Sequence, residues 1–377
     1  MQPQIVVDSD DEAHIIWQRS GLWTQRLDRR GTLLTKEVFI TPHVVRGYGS
    51  PYRYPLGPQI AIDGDANMHV VWDDGNTNVY YQKCDGDGNA LAQPLLVGAQ
   101  DNHASHTPAV AVDPANDDVH IVHDDYQYQC EDILYGKRDK FGKVLVNEFS
   151  LSAAVSSHCE HSTLTTDEWG NVHVVFGSAI GCWWRKVDSK GMVQGPAIRI
   201  KGPPAYMIAS VACTPNGDVH LVWTWNGTVR YSRMDNNGTF LDENISISRN
   251  ANAPGPPRIV ASHNENSVHI VWNDRRTGND EVYYAKVEED EYNQTPDNVQ
   301  LTNDTASSML PWVDVSSDDN VYVVWSDMRD GNYEIYFKFM FDFAMDLAPV
   351  DVAELASMYY FNLDQTKTMD CYIENLG

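Results

Sequence analysis

Residues 268–287 read VHIVWNDRRTGNDEVYYAKV, and residues 321–339 return to the same phrase as VYVVWSDMRDGNYEIYFKF. Each begins with an apolar, β-branched run ending in Trp, passes through a polar turn rich in Asp, Gly and Asn, and resumes as an aromatic run. That is the signature of two strands joined by a hairpin. Further upstream the first half recurs, each time behind a short apolar strand and an acidic or polar turn. The copies are IVVDSDDEAHIIW, IAIDGDANMHVVW, VAVDPANDDVHIVH, LTTDEWGNVHVVF, SVACTPNGDVHLVW, IVASHNENSVHIVW and VDVSSDDNVYVVW. Their marker residues are His14, His69, His120, His173, His220, His269 and Tyr322, at separations of 55, 51, 53, 47, 49 and 53 residues.

A third strand follows in every copy: LWTQRLD, VYYQKCD, ILYGKRD, CWWRKVD, VRYSRMD and VYYAKVE. Most then turn through Gly31, Gly88, Gly142, Gly191 or Gly238, as a tight hairpin that needs a positive φ requires. A fourth strand closes the unit: EVFIT, PLLVG, EFSLS, AIRIK, NISIS and VQLTN. Four short strands in about 50 residues, repeated, make the blade of a β-propeller. The expected fold is therefore all-β: a seven-bladed propeller of four-stranded antiparallel blades over 1–345, with a short C-terminal β extension over 346–377. In the seventh copy IYFKFMF lacks the basic and acidic positions and no fourth strand follows directly. Its closing strand is expected from upstream of Met1 or from the tail.

The chain carries 53 acidic against 27 basic residues, a net charge of −26. So acidic a surface repels phosphate backbones and argues against nucleic acid. No apolar run is long enough to cross a membrane as a helix, so no insertion is expected from this segment. The opening MQPQIVVD has neither a basic nor an apolar leader segment and reads as if it starts within a strand. Five N-x-S/T sequons, at Asn226, Asn237, Asn244, Asn293 and Asn303, fit a secreted or cell-surface location.

The phrases at 268–287 and 321–339 resemble the sialidase-like, BNR-type propeller repeats of secreted bacterial and archaeal proteins. The resemblance implies the architecture over nearly the whole chain. Sialidases of that superfamily use three arginines around a carboxylate, an Asp acid/base and a Tyr–Glu pair, with an Arg-Ile-Pro motif near the start and S-x-D-x-G-x-T-W boxes. Here the nearest string, Pro257-Arg258-Ile259-Val260, lies late and lacks the proline, and the third-hairpin turns lack the Ser and Trp. No catalytic residue carries across. The tail DLAPVDVAELASMYYFNLDQTKTMDCYIENLG resembles the opening of a CARDB-type immunoglobulin-like domain, which would imply further domains of a longer chain. A hairpin capping the last blade is the alternative reading.

A group repeated in every blade is best read as structure, since seven copies of one catalytic residue have no mechanistic use. The strand-two histidines and the terminal Trp17, Trp72, Trp223, Trp272 and Trp325 are accordingly assigned to packing and hydrogen bonding. Function is sought where the repeat breaks. The loops joining strands two and three, and those joining blades, emerge on one face. That face collects Asp101-Asn-His103-Ala-Ser-His106, Ser157-His158-Cys159-Glu160-His161, and His123 in place of the repeated Trp, followed by Asp124, Asp125 and YQYQCEDI.

His103, His106, His123, His158 and His161, with these carboxylates, are candidate ligands for a divalent metal such as Zn²⁺ or Ca²⁺, or an acid/base set. Trp183, Trp225, Tyr126 and Tyr128, with Asp124 and Asp125, are candidate glycan-binding residues, because sugars stack on aromatic rings. Cys130 and Cys159 are expected to form a disulfide on this face. The acidic loops at Asp73, Asp274 and Asp327 resemble calcium loops in composition only, and Arg276 and Arg329 within them are expected in inter-blade salt bridges. The leading expectation is an extracellular recognition or scaffold propeller binding glycan or a surface protein, without clear enzymatic machinery. The alternatives are a polysaccharide-cleaving hydrolase or lyase at blades two to four, and a self-assembling subunit of a surface layer or filament.

Overall fold

A computed structural model describes residues 2–42, 57–75, 78–98, 104–127, 130–155, 158–200, 209–289, 296, 298–341, 359–362 and 372–373. Seven antiparallel sheets form, each with its strands side by side in chain order, and they stand in a ring as a seven-bladed propeller. No α-helix occurs among the described residues. The repeat read from the sequence is thus the repeat of the fold.

Strand two of each blade is buried on both faces, because each blade is sandwiched between two others. Val268–Asp274 and Val321–Asp327 are buried at every position. Trp17, Trp72, Trp223, Trp272 and Trp325 are all at most 1% exposed, and the apolar clusters they join span pairs of neighbouring blades. The third-hairpin glycines do what the turn asks of them. Gly238 has φ +84°, and a Cβ there would meet Ile198 and Trp184 of the preceding blade at 2.3 and 2.6 Å.

Closure joins the first blade to the seventh. Ile5, Ile15 and Trp17 pack with Tyr322, Val324 and Phe337 in one buried cluster. The Val7 N–H donates to Asp314 Oδ2 at 2.7 Å, and the Tyr322 hydroxyl donates to the Asp11 carbonyl at 3.1 Å. The closing strand of blade seven comes from the tail. Tyr359–Asn362 pairs antiparallel with Glu334–Met340, and Tyr372–Ile373 pairs outside it. The rest of 342–377 lies outside the described residues.

The arginines of the acidic loops behave differently from expectation. Arg276 and Arg329 pair first within their own hairpins, with Asp274 at 2.7 Å and Asp327 at 2.8 Å, two residues away. Arg329 alone also reaches Asp304, in the connection between blades six and seven, at 3.9 Å. Each guanidinium then lies over a tyrosine of the next strand, Tyr283 at 4.0 Å and Tyr336 at 4.3 Å. A two-residue separation across a turn lets the side chain fold back more cheaply than it could reach another blade. The same carboxylates also accept turn N–H groups, which accounts for the calcium-loop composition.

Candidate functional site at the mouth of blades three and four

The recurring histidines are bonded within the blade, at both ring nitrogens in His69, His220 and His269 and at one in His14, His120 and His173. Nε2 of His14, His69 and His173 meets Asp8, Asp63 and Asp167 at 2.8, 3.1 and 3.2 Å. In blades five and six hydroxyls replace the acid, Thr214 to His220 and Ser262 to His269. Nδ1 of His69, His120, His220 and His269 meets a third-strand tyrosine hydroxyl at 2.7–2.9 Å. Burial pulls His120, His220 and His269 down to about 3, so they stand neutral. For Asp63, burial opposes ionisation, but the bonds from His69, Lys83 and Asn67 outweigh it and hold the carboxyl far below the usual range.

Blade three departs from this pattern in length. Its second and third strands, Val119–Gln127 and Cys130–Arg138, run nine residues each, against six in the matching strands of blade two. Its paired ladder therefore runs three residues, roughly 10 Å at about 3.4 Å each, further than that of blade two. Residues on this hairpin alternate between the blade's two faces, and the alternation sorts the candidate residues.

On the face toward blade two, His123 is fully buried with Nε2 3.5 Å from Glu148. Burial pulls its imidazole down, but the neighbouring Glu148 carboxylate outweighs it and raises it. Asp125, also fully buried, accepts a hydrogen bond from the Ser105 hydroxyl at 2.9 Å. His123 therefore takes no part in a shared site with His158 and His161.

Asp124, Tyr126 and Glu131 occupy the face toward blade four. Tyr126 and Glu131 are direct cross-strand partners, so their side chains share a face. Glu131 is buried at 6% exposure, whereas Tyr126 is exposed at 41%. Across the gap, the inner strand Cys159–Thr166 of blade four begins beside His158. His158 Nε2 lies 3.0 Å from Glu131 Oε2, and His161 Nδ1 lies 3.7 Å from Glu160 Oε1. One ligand atom from each of Glu131, His158 and Glu160 lies within 4.8 Å of the other two.

Beneath this group lies Asp124. Its carboxylate accepts hydrogen bonds from the Thr107 hydroxyl and from the His161 N–H, the latter at 2.9 Å. Thr107 and His161 both sit at register shifts of inner strands, with φ of 45° and 60°. Such bulges leave a backbone group without a ladder partner, and here Asp124 supplies one. Burial is the largest influence on this carboxyl and raises it to about 7, despite those bonds. Asp73 takes the same role one blade earlier, bonding the Thr107 backbone, and burial raises it to about 6. Asp124 is thus an inter-blade clamp, not a group presented to solvent.

His106 faces Asp124 in the strand register and is half-buried. Trp183 is half-buried against the cluster between blades three and four and donates its indole N–H to Ser178 at 3.0 Å. Trp225 packs partly into the cluster between blades four and five, with the Arg230 guanidinium 5.8 Å from its ring. His103, Tyr128 and the side chain of Cys130 lie outside the described residues, and with them the Cys130–Cys159 pairing; Cys159 itself is buried. The sequence placed Glu160 and Glu131 among the carboxylates of this face, in the strings SHCEH and YQYQCEDI, without pairing them with each other. The available signal was the absence of a glycine-bearing turn in YQYQCEDI, which lets the ladder run on to Gln127 and Cys130 opposite the blade-four entry.

No protein-family model matches the sequence, and no curated protein matches it. Among solved structures, the chain is similar to the Hadza microbial sialidase Hz136, with a TM-score of 0.53 at 11% identity, over 85% of this chain and 71% of that one. NanB sialidase from Streptococcus pneumoniae gives 0.49 at 10% identity, over 86% of this chain and 64% of that one. A protein of unknown function from Dyadobacter fermentans gives 0.47 at 13% identity, over 90% of both. At such identity the likeness to the first is one of fold: a sialidase-like propeller.

Proposed function

We propose that this propeller is a carbohydrate-recognition module of the cell surface or extracellular space, and that it takes its ligand at the mouth of blades three and four. The observation that carries the reading is the exposed Tyr126 ring directly opposite Glu131, whose carboxylate meets His158. A sugar offers an apolar C–H face and a rim of hydroxyls. An aromatic ring beside carboxylates and an imidazole complements both at once. The polar groups are held by a rigid sheet, so little ordering entropy is lost on binding. That a similar fold serves a sialidase supports the sugar class. The acidic surface favours neutral or cationic glycans over anionic ones.

The test is a glycan array, followed by calorimetry on the best ligand with wild type and Tyr126→Ala. Loss of the stacking ring is expected to weaken binding at least about tenfold, equivalent to about 1.4 kcal/mol. An array on which the wild-type chain binds no glycan, or a Tyr126→Ala chain that binds as tightly as wild type, overturns the proposal.

A further inference from the structure

We infer that Glu131, His158 and Glu160 form a site for a single transition-metal dication of the zinc class. Three side chains from two blades bring one donor atom each to within 4.8 Å of one another. Both carboxylates belong to buried residues, at 6% and 8% exposure, while the His158 side chain is 31% exposed. Two carboxylates and an imidazole so placed offer a dication three donors at one point.

The spacing suits the ion. A tetrahedral zinc with bonds of about 2.1 Å holds its donors roughly 3.4 Å apart. The His158–Glu131 pair is already at 3.0 Å, and rotamer adjustments of the glutamates cover the remainder. One imidazole with two carboxylates is a mixed nitrogen and oxygen set, which favours zinc over calcium or magnesium, whose shells are built from oxygen. Three protein donors leave a position toward the exposed side of His158, where a water or a ligand hydroxyl would bind. The elements that carry the donors are stiff. Glu131 sits in the ladder of the long hairpin, and the bulge next to Glu160 is held by the Asp124–His161 bond.

The inference does not rest on the carbohydrate reading, and the experiment separates the two. The full chain is stripped with EDTA and titrated with zinc chloride by calorimetry, alongside His158→Gln, the double variant Glu131→Gln/Glu160→Gln, and Tyr126→Ala. Wild type and Tyr126→Ala are expected to bind one zinc per chain with matching affinity. His158→Gln and the double variant should lose more than about 100-fold, since even the partners behind a ligand contribute about 10–100-fold. Circular dichroism checks that the double variant is folded. The partly exposed His158→Gln keeps the test decisive if the double variant is not. A wild-type chain that takes up no zinc, a His158→Gln chain that binds zinc undiminished, or preference for calcium over zinc each overturns the inference.

Discussion

The carboxylate of Asp124 in blade three accepts the backbone N–H of His161 in blade four at 2.9 Å. One side chain thereby satisfies a bulge on the neighbouring sheet and fixes the entry of the strand that follows His158. Burial leaves that carboxyl with a proton affinity near neutrality, raised to about 7. The folded state then binds a proton more tightly than the unfolded state between about pH 4 and 7, so this residue's contribution to stability falls across that window as pH rises. Asp124→Asn keeps an acceptor for the His161 N–H and removes the titration. Its melting temperature relative to wild type is expected to rise from pH 5 to pH 8, measured by calorimetry. A pH-independent difference would show that the buried carboxyl does not titrate there.

The strand-two histidines predict an acid limb of opposite sign. Burial holds His120, His220 and His269 at about 3 in the folded state, against about 6.5 when unfolded. Their contribution is fully present above pH 6.5 and is lost as pH falls toward 3. Thermal unfolding followed between pH 7 and 4 should show a steadily falling midpoint. His220→Gln should flatten the slope while lowering the midpoint at pH 7, because the bond to Tyr231 is lost. A midpoint constant between pH 6.5 and 4 would contradict the assignment.

Two glycines with similar backbone angles separate steric from conformational cost. Gly238, at φ +84°, has Ile198 and Trp184 where a Cβ would stand, whereas Gly195, at φ +70°, has nothing within 4 Å. Gly195→Ala is expected to cost about 1–2 kcal/mol from the left-handed backbone alone. Gly238→Ala should cost about 2–5 kcal/mol once overpacking of about 1–3 kcal/mol is added. Denaturant unfolding of the two variants measures the gap, and equal costs would refute the packing argument.

The tail strand gives a fourth expectation. Because Tyr359–Asn362 supplies the fourth strand of blade seven, removal of 346–377 leaves the edge of Glu334–Met340 unpaired. Such an edge invites pairing with other chains. The truncated protein should melt several degrees lower and associate in a concentration-dependent way by light scattering. A monomeric truncation with an unchanged midpoint would show that the pairing contributes nothing.

The architecture was legible because a propeller writes its core seven times, and the burial of Trp17, Trp72, Trp223, Trp272 and Trp325 follows from the blade being covered on both sides. The site was legible only in part. His158 and Glu160 stand in one string that breaks the repeat and Glu131 in another, YQYQCEDI, but nothing in the sequence joins the two. The partners of Glu131 belong to the next blade, and pairing across blades depends on which face each residue takes. His123 and Asp124 are adjacent yet point to opposite neighbours. The bulges at Thr107 and His161 shift the alternation by a residue, so counting along the strand misplaces whatever precedes them. Arg276 and Arg329 follow a related logic: the near partner within the hairpin is the closer one in both, and only Arg329 also reaches a carboxylate between blades, Asp304 at 3.9 Å.

The bond from Val7 to Asp314 spans 307 positions of the chain. Contacts of such separation form late, since their loop-closure entropy must be met before they return any stabilisation. During synthesis the first blade therefore emerges with one apolar flank bare, and that flank stays bare until the seventh blade has left the ribosome. At about 5–20 residues per second the wait lasts tens of seconds. Over that interval Ile5, Ile15 and Trp17 are the surface most in need of a chaperone.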